Sequence, residues 1–149
     1  MTTLKWEETI PISLKESWRF FSNPKNLSKL MPSHMDFQII SDAPEEVYEG
    51  MVLNYSVRPL MGIKMYWSTE ITQVKEESYF VDNQISGPYK IWHHQHHFEE
   101  CEGGVKMTDI LNYELPYSIF NTIINNLIVK NEIQKIFTYR KESLKTLLK

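Results

Sequence analysis

Residues 117–149 read YSIFNTIINNLIVKNEIQKIFTYRKESLKTLLK, the longest stretch of the chain with neither Gly nor Pro. Its apolar residues recur at helical spacing. At about 100° per residue, Phe120, Ile123, Ile124, Leu127 and Ile128 gather on one side. Val129, Ile133, Ile136, Phe137, Leu144 and Leu147 gather on another, displaced by about half a turn. That shift predicts a short helix and then a longer one, reoriented near Lys130 and Asn131. Arg140 projects from the middle of the second apolar stripe, where a guanidinium must find a partner or reach water. The rest of the chain is therefore expected to supply a surface that packs on this helix and polar groups that meet Arg140.

With 149 residues and 42% hydrophobic content, the chain reads as one domain over 1–149, long enough to bury a sizeable core. The net charge of −3 argues against nucleic acid or anionic lipid as the main partner. Cys101 is the only cysteine, which excludes an internal disulfide and a zinc site built on several cysteines. The first residues lack the apolar centre of a signal peptide, and no run is long enough for a membrane-spanning helix. A soluble, cytoplasmic protein without membrane insertion is expected. Nothing in the sequence fixes an oligomeric state.

The chain opens with alternation, placing Leu4, Trp6 and Ile10 on one face with Glu8 as the polar exception. Ser13 and Glu16 form a capping box for a helix that buries Leu14, Trp18 and Phe21. Asn23 and Pro24 cap and begin a second short helix through Leu27, Leu30 and Met31, which Pro32 stops. From Met35 to Leu115 the period changes to two. Strands are expected at 36–41, 50–58, 64–75, 78–86, 90–101 and 104–114, separated by turn signals such as Gly87-Pro88 and Gly103-Gly104. Short connections imply an antiparallel meander, and only the C-terminal helix is large enough to cover one face of it. The expected fold is α+β, with a seven-stranded antiparallel sheet wrapped around a long C-terminal helix and two short helices after the first strand.

The inner face of that sheet is unusually polar. Trp92 and Phe98 identify it on 90–101, which also places His94 and His96 inward. Asp109 sits among Val105, Met107, Leu111 and Tyr113, and Phe80 brings Asp82 and Gln84 inward. Tyr55 and Trp67 line neighbouring strands, and Phe137 and Arg140 face them from the helix. A solid hydrocarbon core does not tolerate so many polar groups without partners, whereas a cavity with apolar walls and a few fixed polar groups does.

These residues carry a resemblance. Phe80-Val81-Asp82-Asn83-Gln84, Gly87-Pro88-Tyr89, Trp92-x-His94-x-His96-x-Phe98, Gly103-Gly104, Met107-Thr108-Asp109, Tyr113, Pro116 and Ile136-Phe137-x-Tyr139-Arg140 resemble one branch of the bacterial START-like (SRPBCC) superfamily. Phe20-x-x-Asn23-Pro24 fits the same branch. The resemblance implies the helix-grip fold shared with birch-pollen-type allergens, lipid-transfer domains and polyketide cyclases, in which a hydrophobic ligand lies between sheet and helix. Some relatives are described as cell-division inhibitors or adjoin a nucleoside-sugar epimerase-like domain.

The expected function is binding or carriage of a small hydrophobic or amphipathic molecule, without a cofactor. The expected site is Tyr55, Trp67, Asp82, Gln84, Trp92, His94, His96, Asp109, Phe137 and Arg140. One alternative is a polyketide cyclase or dehydratase, with His94 or Asp109 as general base and Arg140 stabilising an enolate. Another is a regulatory interaction module. Asp109 and Arg140 are expected to form a buried ion pair, joined by Glu8, unless Arg140 instead holds a ligand carboxylate or phosphate. His94 and His96 side by side invite a metal, with Asp82 or Asp109 as a third ligand. Spacing alone does not establish that ligand, so no metal is expected. His93 and His97 are expected on the solvated outer face.

Overall fold

The computed structural model describes residues 1–116 and 123–148, Leu60 and Ile124 by backbone only. The chain begins with β1 (Thr2–Ile10) and α1 (Leu14–Phe21). Ser13 caps α1 through the expected box with Glu16. The second short helix is a 3₁₀ segment, Pro24–Leu30, started by Asn23 accepting from the Lys25 amide. A further single turn, Ser33–Met35, follows.

Then come β2 (Gln38–Ile39), β3 (Val52–Leu60), β4 (Ile63–Lys75), β5 (Tyr79–Ser86), β6 (Ile91–Cys101) and β7 (Gly104–Glu114). They pair antiparallel in the order β1-β7-β6-β5-β4-β3-β2, the expected seven-stranded meander. The strand expected at 36–41 contracts to two residues. The turn before it ends at Asp36 with φ of 45°, a left-handed bend that delays pairing until Gln38 meets Ser56.

The C-terminal element α2 (Ile123–Leu147) is one continuous helix of 25 residues, about 38 Å long. The expected reorientation near Lys130 and Asn131 does not occur. Val129, Ile133, Phe137, Arg140 and Leu144 are buried along one face, while Ile123, Leu127 and Ile128 are 80%, 61% and 45% exposed. The two stripes thus lie on different sides of one rod. A change of hydrophobic phase does not break a helix when nothing interrupts its backbone hydrogen bonds, and this segment has no Gly or Pro. Phe120, expected on the first stripe, lies outside the described residues.

The sheet curls around α2 and closes on it at β1, where Trp6 stacks on Phe137 with centroids 3.6 Å apart. At one end Trp18 and Phe21 of α1 meet Phe98, within an apolar cluster that includes Ile10, Phe80, Met107 and Leu144. Leu111, Tyr113, Val129 and Ile133 form a second cluster with Phe137. These clusters leave the middle of the interface to the polar residues.

The single-rod geometry separates two substitutions. Ile133→Ala, at a position 1% exposed, is expected to cost about 2–5 kcal/mol. Leu127→Glu, on the exposed stripe, is expected to stay within about 0.5 kcal/mol of the parent. Urea unfolding midpoints at constant slope measure both.

Candidate functional site

Residues two apart on a strand share a face, so β6 presents His94 and His96 together toward α2. The register sets Asp82 of β5 opposite His94 and Asp109 of β7 opposite His96. The side chains nevertheless bond along the diagonals. His94 Nε2 lies 2.9 Å from Asp109 Oδ1, and His96 Nε2 lies 2.6 Å from Asp82 Oδ2. His96 Nδ1 is also 3.3 Å from Asp109 Oδ1, off the line of a good hydrogen bond. Arg140 descends from α2 with Nη1 3.8 Å from the same Asp109 oxygen. Its guanidinium lies over the rings of Phe21 and Phe137, at 5.5 and 5.6 Å. The expected Asp109–Arg140 pairing is present. Glu8 forms no ion pair with Arg140 among the described residues and lies nearby on β1.

Burial pushes both carboxyls upward, but their partners outweigh it. The Arg140 charge and the bonds from His94 and His96 hold Asp109 well below the usual carboxylate range. For Asp82 the His96 bond and the charges of both histidines lead to a smaller lowering. Burial also disfavours protonation of the histidines. At His94 it prevails, helped by the neighbouring His96, and the pKa falls. At His96 the neighbouring carboxylates of Asp109 and Asp82 prevail and the pKa rises. The ring centroids are 3.8 Å apart, so a proton on one disfavours a proton on the other. Protonation is thus favoured at His96 over His94, beside two carboxylates and one guanidinium.

On one side this cluster faces a hollow of about 160 Å³ between β3–β6, the 3₁₀ segment and α2. Its walls include Tyr55, Trp67, Trp92 and Phe137, and its polar floor is Asp82, His94, His96 and Arg140. The half-exposed Leu27, Met31, Pro59 and Ile136 mark its open side. A second hollow, about 250 Å³, lies behind Asp109 and Arg140 and is lined by Trp6, Glu8, Lys141 and Leu144.

Eight of the ten expected site residues line the first hollow, and two do not. Asp109 sits behind the histidines and faces the second hollow. Gln84 is spent on the backbone, its Nε2 donating to the Tyr89 carbonyl at 2.6 Å while Oε1 accepts from the Tyr89 amide at 3.1 Å. It clamps the Gly87-Pro88-Tyr89 turn so closely that a Cβ on Gly87 would come within 2.7 Å of Gln84 Oε1. His93 and His97 occupy the outer face as expected, yet they are bonded to Asn83 and Gln95 rather than free in solvent. Sequence reading missed Leu27, Leu30 and Met31 as pocket wall. The Asn23-Pro24 start signal marked their segment without showing which way it would face.

The family model described as polyketide cyclase / dehydrase and lipid transport matches residues 10–135. The chain belongs to this family. Its fold is similar to that of protein Ms6760 from Mycobacterium smegmatis, at TM-score 0.71 and 16% identity over 98% of this chain and 90% of that one. It is also similar to Ara h 8.0201, at TM-score 0.63 and 15% identity over 97% and 98% of the two chains. A third likeness is to part of the nucleoside-diphosphate sugar epimerase from Corynebacterium glutamicum, at TM-score 0.63 and 21% identity, covering 95% of this chain and 28% of that one. No curated protein matches the chain. The structural likenesses are of fold, and they show the helix-grip architecture expected from the sequence. No helix among the described residues is long and apolar enough to cross a membrane.

Removing the guanidinium leaves Asp109 buried without its ion-pair partner. Arg140→Met is therefore expected to destabilise the fold by about 3–5 kcal/mol. Lys141→Met, at the exposed neighbouring position, is expected to change it by no more than about 0.5 kcal/mol. Thermal or urea unfolding of the two variants side by side checks the contrast.

Proposed function

We propose that this protein binds and carries a small, largely apolar molecule bearing one polar group, held in the hollow between sheet and α2. The observation that carries this reading is the division of that hollow into aromatic and aliphatic walls and a polar floor whose groups are already fixed by one another. Apolar walls supply affinity and a few placed polar groups supply orientation. The family's description, which includes lipid transport, supports the same reading.

The volume restricts the ligand. A cavity of about 150 Å³ accepts benzene, and this one measures about 160 Å³. One ring or a short branched chain fits inside, and anything longer must emerge past Leu27, Met31 and Ile136. A diacyl lipid taken up whole does not fit.

One observation favours a cyclase or dehydratase as the second reading. His94 and His96 both face the hollow while each is hydrogen-bonded to a carboxylate, the arrangement that orients an imidazole for general-base work. In that reading a histidine takes the proton, because Asp109 lies behind the rings. Arg140 lines the hollow and would stabilise a developing enolate.

Phenylnaphthylamine, an apolar fluorescent probe, is expected to bind one per chain. Ile136→Trp, placed at the open side of the hollow, is expected to weaken it at least tenfold while the unfolding midpoint stays near the parent's. Undiminished probe binding in Ile136→Trp would place the binding site elsewhere.

A further inference from the structure

We propose that Asp82, His94 and His96 form a binding site for one divalent transition-metal ion of the zinc type, at the floor of the hollow, with a coordination position open toward it. One ligating atom from each of the three residues lies within 4.8 Å of the other two. The three side chains are 16%, 8% and 8% exposed.

The partners of each ring determine which nitrogens are available. Asp109 faces one nitrogen of each histidine, Nε2 of His94 at 2.9 Å and Nδ1 of His96 at 3.3 Å. With a proton on each of those nitrogens, both rings are neutral and their remaining lone pairs point the other way. Those are Nδ1 of His94 and Nε2 of His96, at 3.9 and 2.6 Å from Asp82 Oδ2. Two imidazole lone pairs and a carboxylate oxygen then converge on one region, and a divalent cation there takes the place of the proton that otherwise bridges His96 and Asp82.

The spacing suits such a cation. Zinc bonded at ~2.0–2.1 Å to tetrahedral ligands separates them by roughly 3.3 Å. The two separations from Asp82 fall on either side of that value and no two of the three ligating atoms are more than 4.8 Å apart, so side-chain shifts on the order of 1–2 Å complete the geometry. Asp109 then acts as the outer carboxylate that fixes the tautomer and orientation of both ligating rings. Arg140 neutralises Asp109 from the far side. Phe80 stacks on His96 at 4.2 Å and Trp92 meets the His94 ring edge-on, so the ligands stand on packed strands rather than loops.

The charges define what the open position takes. A divalent ion with one ligating carboxylate and two neutral imidazoles keeps one net positive charge, and the Asp109–Arg140 pair adds none. The fourth ligand is therefore an anionic oxygen, a hydroxide or a carboxylate or enolate of a molecule in the hollow. Metal binding does not depend on the carrier reading, since the ion alone is sufficient to test it.

The test uses the full chain, stripped with a chelator, dialysed and titrated with Co²⁺ alone and then with Zn²⁺ alone, followed by calorimetry and visible absorbance. The expected result is one equivalent of cobalt with the intense visible bands of a tetrahedral or five-coordinate site, displaced stoichiometrically by zinc. Asp82→Asn, close to isosteric, is expected to fold and to lose affinity at least a hundredfold. Asp109→Asn keeps the stoichiometry and weakens binding about 10–100-fold. The double variant His93→Ala/His97→Ala, on the outer face of the same strand, leaves binding unchanged. Absence of stoichiometric binding to the parent overturns the proposal. So does binding that survives Asp82→Asn but disappears with His93 and His97.

Discussion

The structure depends on how a charged group can stand in the middle of the sheet–helix interface. Arg140 lies on the buried face of α2, and Asp109 is the only carboxylate within ion-pairing distance of it among the described residues. At 3.8 Å this contact is looser than a bidentate fork, and Arg140 Nε has no hydrogen-bond partner among the described residues. The guanidinium is held instead by one carboxylate and two aromatic faces, which suits a weakly hydrated planar cation. Asp109 in turn serves both histidines, and one of those bonds to Asp82. Removing Arg140 or Asp109 leaves the other charge buried without its partner, so the helix position and the floor of the hollow are set together.

That coupling explains why the interface is not packed shut. Apolar clusters around it, rich in aromatic rings, bring sheet and helix together. Between them the polar residues hold the spacing, and hollows remain on both sides of Arg140. Filling the centre with leucines would close these gaps, but it would also remove the groups that can orient a ligand. The Gln84 clamp has a comparable effect on the wall. By fixing the Gly87-Pro88-Tyr89 turn it sets Tyr89 against Trp67 and Trp92, with centroids at 5.4 and 4.7 Å.

Much of this was legible in the sequence because sheets write their faces directly into alternation. Trp92, Phe98, Leu111 and Tyr113 named the inner face, and the same parity placed His94, His96 and Asp109 correctly. Parity says which side a residue faces but not what it touches. Gln84 therefore looked identical to Asp82, although one bonds a backbone turn and the other meets a histidine. Helical phase misled for a related reason. Ile123, Leu127 and Ile128 are apolar yet exposed, and a stripe computed from hydrophobicity alone assumes that every apolar face is covered. The diagonal pairing of histidines with aspartates was beyond sequence reading, because it depends on how neighbouring strands twist relative to one another.

The walls of the hollow differ in what it costs to move them. Tyr55 is tied into backbone ladders on both sides, opposite Ile39 and Trp67, and α2 is tied to the sheet by Arg140. The Pro24–Leu30 segment has only short-range 3₁₀ turns, whose geometry is poorer and whose cooperativity is low. It also contributes the half-exposed Leu27 to the lining. In the proposed carrier role, ligands of different length would be accommodated at this wall, with the floor of Asp82, His94 and His96 held in place. Tolerance for the tail and discrimination at the polar head would then reside in separate parts of the chain, the first in the 3₁₀ segment after α1 and the second in the central strands of the sheet.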